Sequence, residues 1–368
     1  MSGRGTGPKL LILEGDGIGP EIVGATRLVL DAADRAFGLD LVLDEAAIGF
    51  AALEVLGTTI PDDVVEAALA ADGVVMGPIS HNDYPPVEKG GLNPSARLRT
   101  GLDLYANIRP ARTPGGVDAR APMDLVIVRE NTEGFYADRN MVGGTSGEFL
   151  PDPDLALALR KVSRRACRRI AETAFALAEP RPARHVTAVH KANVLRTSDG
   201  LFLEEVRKVA SAHPDIAYDE VLVDAMAALL VRVPSRYDVI VTTNMFGDIL
   251  SDLATELAGG LGLAGSLNAG DERAMAQAQH GSAPDIAGRG IANPASLIAS
   301  VAMLLDWLAA RRGEERLARA AAAIEAALDA AVADPAVRTP DLAGRGSTNT
   351  MARAVAHTVA AAAQAKKR

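Results

Sequence analysis

Six short apolar runs, at residues 10–13, 41–43, 73–76, 124–128, 186–189 and 239–242, punctuate the chain, with helical patterns between several of them. Runs this short and continuously apolar suit strands buried on both faces, and their alternation with helical stretches predicts an α/β architecture. The first run passes through Gly15-Asp16-Gly17-Ile18-Gly19-Pro20 into an amphipathic stretch over residues 21–37. From Ala295 onward the pattern is mostly helical, broken at Arg338-Thr339-Pro340. Residues 79–94, with three prolines among Gly, Asn and Asp, read as an irregular loop beside a site. Residues 139–153 form a second irregular stretch, in which Gly143-Gly144-Thr145 suggests an extended arm or hairpin that pairs with another subunit, or a surface loop.

With 368 residues, 48% of them hydrophobic and 23% charged, the chain can bury a sizeable core in two domains or one large α/β unit. A net charge of −9 argues against a general nucleic-acid or anionic-membrane surface but leaves room for a basic pocket that takes an acidic substrate. The single cysteine, Cys167, provides neither a disulfide framework nor a thiolate metal site, which suits a reducing cytoplasm. The opening Met1-Ser2-Gly3-Arg4 has no apolar leader behind it, and no apolar run reaches membrane-spanning length. A cytoplasmic protein without a membrane partner is expected.

The chemistry concentrates in a few places. Asp248 and Asp252 stand four residues apart at the opening of a helical pattern, so they share a face, and two like charges in one cleft favour a hard, oxygen-seeking cation such as Mg2+ or Mn2+. The same pair also reads as a helix-start carboxylate beside a solvated one. Asp224 interrupts an otherwise apolar run, where a buried carboxylate would need a cation or donors, and so reads as a third ligand. Arg97, Arg99, Arg109 and Arg129 gather around the strand starts of the middle region, as arginines do when they grip carboxylates through bidentate forks. Tyr136 and Lys191 are a candidate acid–base pair. The glycine-rich turn resembles a dinucleotide fingerprint, but its third glycine would fall at Pro20, and no acidic residue clearly closes a second strand.

Five segments together resemble the β-decarboxylating dehydrogenase family, which includes isocitrate, 3-isopropylmalate, homoisocitrate, and tartrate or D-malate dehydrogenases. They are Glu14-Gly15-Asp16-Gly17-Ile18-Gly19-Pro20-Glu21, Leu102 through Pro110, Arg129-Glu130-Asn131-Thr132-Glu133-Gly134-Phe135-Tyr136, His190-Lys191-Ala192-Asn193-Val194, and Asn244 through Asp252. A sixth, His280 through Pro294, is similar to the family's adenosine loop. The resemblance implies a two-domain α/β fold of the isocitrate/isopropylmalate dehydrogenase type, not a true Rossmann fold. Residues 1–107 and 258–368 would form the NAD domain, and 108–257 the substrate and dimer domain. It implies that Arg99, Arg109 and Arg129 hold the malate carboxylates, that Tyr136 and Lys191 exchange protons with substrate, and that Asp224, Asp248 and Asp252 bind Mg2+ or Mn2+. It also implies a homodimer in which Lys191 and Asp224 complete the partner's site.

His280, Gly281, Ser282, Ala283, Pro284, Asp285, Ile286 and Asn293 would then contact the coenzyme. Asp285 is placed to accept hydrogen bonds from the adenosine ribose and to repel a 2′-phosphate, which predicts NAD over NADP. The substrate's third substituent would meet the segment before Arg99, with Asn93 and Ser95; isopropylmalate enzymes carry two leucines where this chain has Ser95 and Ala96, so the pocket reads as polar. Asn93 and Ser95 are also ordinary loop formers beside Pro94. The implied reaction is oxidative decarboxylation of a (2R)-malate-type 2-hydroxy acid to a 2-keto acid and CO2. A catalytically silent regulatory subunit and a metal-free Rossmann oxidoreductase are the competing classes; the filled carboxylate, Tyr and Lys positions oppose the first, and Pro20 with the three aspartates opposes the second.

Overall fold

The computed structural model describes residues 7–117, 119, 122–136 and 147–365. In chain order the regular elements are β1 (Lys9–Leu13), α1 (Gly19–Phe37), β2 (Val42–Ala46), α2 (Phe50–Leu56), α3 (Asp62–Ala70), β3 (Gly73–Met76), α4 (Pro94–Gly101), β4 (Ala106–Arg112) and β5 (Asp124–Glu130). There follow β6 (Glu148–Asp152), β7 (Leu155–Ala158), α5 (Arg164–Ala178), β8 (His185–His190), α6 (Ser198–Ala212), β9 (Ala217–Leu222), α7 (Val223–Arg232), β10 (Val239–Thr242) and α8 (Asn244–Ala258). The last are β11 (Leu267–Ala269), β12 (Ala274–Gln277), α9 (Ala295–Arg312), α10 (Glu315–Ala333) and α11 (Thr348–Ala365).

All six apolar runs of the sequence are strands of one ten-stranded sheet, ordered β2-β1-β3-β12-β11-β4-β5-β10-β8-β9. Its two flanks are parallel, and its middle, β12-β11-β4-β5, is antiparallel. A Rossmann sheet built from βαβ crossovers has no such antiparallel centre, so the expectation of a different α/β fold holds. Strands β1, β3, β5, β8 and β10 are buried almost throughout, as sheets covered on both faces require. α9 is largely buried and packs on β12, with α10 and α1 against it, forming the largest core cluster with side chains such as Leu297, Ile298, Val301 and Leu305. Abundant alanine on α10 and α11 lets these helices lie close to one another.

β6 and β7 form a separate antiparallel hairpin whose residues are all exposed, among them Phe149, Leu150, Leu155 and Leu157. An exposed hairpin thus overlaps the end of the 139–153 stretch, where an arm, hairpin or surface loop is expected, while Gly143-Gly144-Thr145 lies outside the described residues. Among the described residues no helix is long and apolar enough to cross a membrane.

Candidate active site

The antiparallel centre of the sheet carries the polar residues. Asn268 of β11, Asn107 of β4, Arg129 of β5 and Thr242 of β10 occupy one row of the register, so their side chains share a face, and Arg109 joins them two residues beyond Asn107. A cavity of about 440 Å³ opens above this row, bounded by residues of the 78–93 loop, α4, α8 and the segment after β12. Arg99, Arg109, Arg129, Tyr136, Asp248, Asn93 and Ser95 all line it, as do His280 and Gly281.

Arg129 is the most deeply set of these, only 1% exposed. Its Nε and Nη2 donate to Asn244 Oδ1 at 2.9 and 2.7 Å, its Nη2 to the Tyr136 hydroxyl at 3.1 Å, and its Nη1 to Asp248. α8 can approach this closely because residue 247 is glycine; a Cβ there would sit 2.6 Å from the Arg129 side chain. Arg109 donates from Nε to Asn107 at 2.6 Å and from Nη1 to Ser251 at 2.7 Å, Asp248 at 3.1 Å and Asp252 at 3.3 Å. The Tyr136 hydroxyl donates to Asp248 Oδ2 at 2.9 Å.

The two carboxylates expected to need a cation thus share Arg109, whose charge offsets their mutual repulsion. Burial alone would raise the Asp248 carboxyl, but the Arg129 and Arg109 guanidiniums hold it below the usual carboxylate range. Burial, then the like charge of Arg129, pulls Arg109 down to about 10, so it remains a cation at neutral pH. Asp252 is the more open of the pair, with its side chain 52% exposed, and accepts from Gln279 Nε2 at 2.9 Å.

On the opposite wall, Arg99 Nη2 and Ser95 Oγ donate to the same acceptor, Gln277 Oε1, at 3.0 and 3.2 Å. Asn93 has a local task as well as its place in the wall. Its Oδ1 accepts from Ala96 N at 3.0 Å and caps α4. Arg97 does not join the cluster as expected; one turn of α4 points it away, to Asp62 and to the Ile60 carbonyl at 3.3 Å. Sequence reasoning missed Gln277, Asn107 and Ser251, which orient the arginines. Asn107 and Ser251 lie within or beside segments already singled out, whereas the alanine-rich surroundings of Gln277 gave no signal.

Lys191 and Asp224 lie elsewhere. Lys191 Nζ pairs with Asp224 Oδ1 at 2.5 Å, and neither residue lines the cavity. Asp224 is not the buried carboxylate its apolar surroundings suggested: its side chain is 64% exposed, because the first turn of α7 turns it outward, and its hydrogen bond from Lys191 lowers its pKa. Among the described residues no three His, Cys, Asp or Glu side chains of this chain gather into a metal site. Asp248 and Asp252 offer hard oxygen donors fit for a divalent cation, but only two-thirds of the expected set.

Lys191 is held in place from behind. Its backbone N donates to Asp199 Oδ2 at 2.6 Å, and Asp199, fully buried, pairs with Arg160. Arg160 in turn donates to Thr243 Oγ1 at 2.9 Å and lies over the rings of Phe135 and Phe246. One guanidinium therefore joins the segments that carry Tyr136, Asp248 and Lys191.

The segment from His280 to Asn293 begins at the cavity's lip, which its first two residues, His280 and Gly281, line. Burial lowers the His280 pKa, and its Nδ1 lies 3.0 Å from the Gly281 carbonyl. His280 Nε2 is buried with no hydrogen-bond partner among the described residues, a polar atom suited to a ligand on this lip. Ser282 is buried, Ala283 holds a left-handed φ of 37°, and Pro284–Ile286 make a tight turn that exposes Asp285 while Ile286 packs inward. Asn293 donates to Asp341 at 2.9 Å and accepts from Ala295 N at 3.0 Å, so it closes the lip from within the fold.

Comparison with known proteins agrees with the fold. The family described as isocitrate/isopropylmalate dehydrogenase matches residues 9–355, and the chain belongs to this family of β-decarboxylating dehydrogenases. An isocitrate/homoisocitrate dehydrogenase of Thermus thermophilus is 43% identical over 349 residues, which span 94% of this chain and 97% of that protein. A 3-isopropylmalate dehydrogenase of Methanothermobacter thermautotrophicus is 40% identical over 349 residues, 95% and 97% of the two chains. Among solved structures, isocitrate dehydrogenase from Methylococcus capsulatus superimposes with a TM-score of 0.84 at 40% identity, covering 96% of this chain and 99% of that one. The family resemblance read from the sequence motifs is thereby established, as is the fold it implied.

Proposed function

We propose that the protein oxidises and decarboxylates a (2R)-malate-type 2-hydroxy acid, with NAD and Mg2+ or Mn2+, and that the acid's third substituent ends in a carboxylate, as in isocitrate or homoisocitrate. The observation that carries this reading is the convergence of Arg99, Arg109 and Arg129 with Tyr136 and Asp248 on one cavity. Three guanidiniums around a pocket of this size match the charge of a di- or tricarboxylate. The wall formed by Asn93, Ser95 and Gln277 is polar, which favours a carboxylated substituent over an isopropyl group. The names of the Thermus and Methylococcus relatives point the same way.

In this reading Arg99, Arg109 and Arg129 hold the malate carboxylates, and the polar wall with Asn93 and Ser95 meets the third substituent. When bound, the coenzyme accepts the hydride from C2, and a divalent cation on Asp248 and Asp252 draws electron density from the substrate oxygens. Lys191 takes the proton from the 2-hydroxyl. After the bond to the β-carboxylate breaks and CO2 departs, the electron pair stays on carbon and the Tyr136 hydroxyl supplies its proton. Tyr136 is well oriented for this, being fixed between Arg129 and Asp248. Lys191 and Asp224, remote from their own cavity, serve the site of a second copy, so the working unit is a homodimer. Residues 1–107 with 258–368 and residues 108–257 act as the two walls of the cleft, the first carrying the His280–Asn293 lip and the second Tyr136 and the aspartates.

The test is NADH formation by the purified protein against isocitrate, homoisocitrate, 3-isopropylmalate, D-malate and tartrate, with Mn2+ and with EDTA. Metal-dependent turnover greatest with isocitrate or homoisocitrate is expected. Preference for 3-isopropylmalate would overturn the assignment of the polar wall, and turnover undiminished by EDTA would overturn the role of the aspartates.

A further inference from the structure

The glycine-rich turn that ends β1 is occupied by the protein itself. Gly17 has a φ of 57°, and a Cβ on it would lie 2.0 Å from the Ser282 carbonyl oxygen. Ile18 N donates to that same carbonyl at 2.8 Å. The neighbouring Asp16, 6% exposed, accepts from Phe50 N at 2.8 Å, from Ser80 N at 2.9 Å and from the Tyr84 hydroxyl. Ser80 Oγ lies 2.7 Å from Ser282 Oγ, so Asp16 fixes the residue that meets Ser282 from the other side. The amides and glycines that would cradle a phosphate in a dinucleotide fingerprint are spent on one end of the 282–292 loop.

The other end of the loop meets the same stretch of chain. Glu21, in the first turn of α1, accepts from Ala292 N at 3.2 Å and from Gly290 N at 3.4 Å, and from the Thr348 hydroxyl. Thr348 Oγ1 also lies 2.6 Å from the Ala292 carbonyl, and Thr348 N donates to the Gly290 carbonyl at 3.0 Å. Between the anchors, Pro284, Asp285, Ala287, Gly288 and Arg289 are exposed. Left-handed φ values at Ala283, Gly288 and Gly290 shape this excursion. A loop so bent and so little buried has few interactions of its own to hold its form.

We infer that the turn from Asp16 to Glu21 is a two-point clamp that presets the 282–292 loop for the coenzyme, with Glu21 its positioning residue at the far end. This rests on the reading that the loop receives the adenosine half of NAD. A preset loop binds more tightly because its ordering is not charged against the ligand. Loss of Glu21 should therefore weaken nucleotide binding without touching the arginine cavity.

The experiment uses the full chain without substrate. NADH affinity is measured by fluorescence titration for wild type, Glu21→Ala and Glu21→Gln, together with the rate of tryptic cleavage after Arg289 and the unfolding temperature. Glu21→Ala should raise the NADH Kd about tenfold and speed cleavage after Arg289, with Glu21→Gln in between, since one amide oxygen can replace part of the acceptor set. Gly17→Ala, acting on the opposite anchor through the Ser282 carbonyl, should raise the Kd in the same direction. Wild-type Kd and cleavage rates in both Glu21 variants would overturn the clamp while leaving the coenzyme reading intact. A fall in unfolding temperature with unchanged Kd would reduce Glu21 to a structural role and overturn it too. Failure of wild type to bind NADH would instead sink the coenzyme reading, and the clamp's purpose with it.

Discussion

Lys191 and Asp224 are bonded to each other at 2.5 Å, on a part of the molecule that does not face the cavity shared by Tyr136 and Asp248. If Lys191 works in a second copy's site, complementation follows. Lys191→Met and Tyr136→Phe should each lower kcat by about 100-fold or more, the usual range for a lost proton-transfer group. Mixed and reassembled, the two variants should regain activity, because a hybrid dimer has one site with both residues intact. No recovery in hybrids whose formation is verified by mass would place both residues in the same copy's site.

Asp285 stands exposed at the apex of the loop, with Ile286 turned inward beside it. In the proposed coenzyme reading, a carboxylate there would repel a 2′-phosphate and accept from ribose hydroxyls. The double change Asp285→Lys with Ile286→Tyr should raise kcat/KM for NADP relative to NAD. Its magnitude will be limited by the packing that Ile286 gives up. Unchanged discrimination would remove Asp285 from the coenzyme assignment.

How much of this arrangement could be read beforehand depends on which residues carried a pattern. β1, β3, β5, β8 and β10 announce themselves because strands covered on both faces carry short, nearly continuous apolar runs. β4 does not, since Arg109, Pro110 and Arg112 interrupt it, yet that interruption is what brings arginine into the cavity. β9, Ala217–Leu222, is a polar edge strand, and β12 is rich in alanine, a poor strand former. The site's arginines, Tyr136 and Asp248 were legible through their motifs. Arg97 misled because α4 is a helix, and two residues apart on a helix point in different directions. The exposure of Asp224 was not legible, because an apolar neighbourhood in sequence says nothing of which way the first turn of α7 faces.

Asp248 offers a pH test. Its folded pKa lies below the ordinary carboxylate value, through Arg129 and Arg109 working against its burial. The ion pairs therefore contribute stability above the unfolded carboxylate range and lose it as pH falls through the folded value. In EDTA, wild type should lose unfolding temperature relative to Asp248→Asn as pH drops from about 5 to about 2, the span around the ordinary value near 3.9. Parallel curves over that span would mean that Asp248 is not held ionised by the arginines.

The Cys167 thiol sits on the buried face of α5 at 2% exposure. Burial, reinforced by the nearby Glu133 and Glu130 charges, pushes its pKa up to about 12. The thiolate, the reactive species, is then scarce at neutral pH as well as inaccessible. Native protein should give no measurable reaction with a disulfide reagent at pH 8 over minutes, and one equivalent after unfolding. Rapid native labelling would require local opening of α5, which its packing under β10 and β5 opposes.

Arg160 and Asp199 make the sharpest stability prediction, because both are buried, with side-chain exposures of 8% and 0%. Removing one member of such a pair leaves the other charge in a poor solvent and typically costs about 3–5 kcal/mol. Asp199→Ala should therefore lower the urea midpoint strongly, and Arg160→Met similarly. The double change Arg160→Met with Asp199→Leu removes both charges together and should recover much of the loss, since apolar replacements of a buried pair are often near neutral. Activity should not recover with stability. Lys191 would still lack the acceptor that holds its backbone N, and Phe135 and Phe246 the cation over their rings. A double variant as active as wild type would show that the pair serves folding alone, whereas a stable double variant with kcat reduced tenfold or more would mark the pair as the link that aligns Lys191 with the Tyr136 segment.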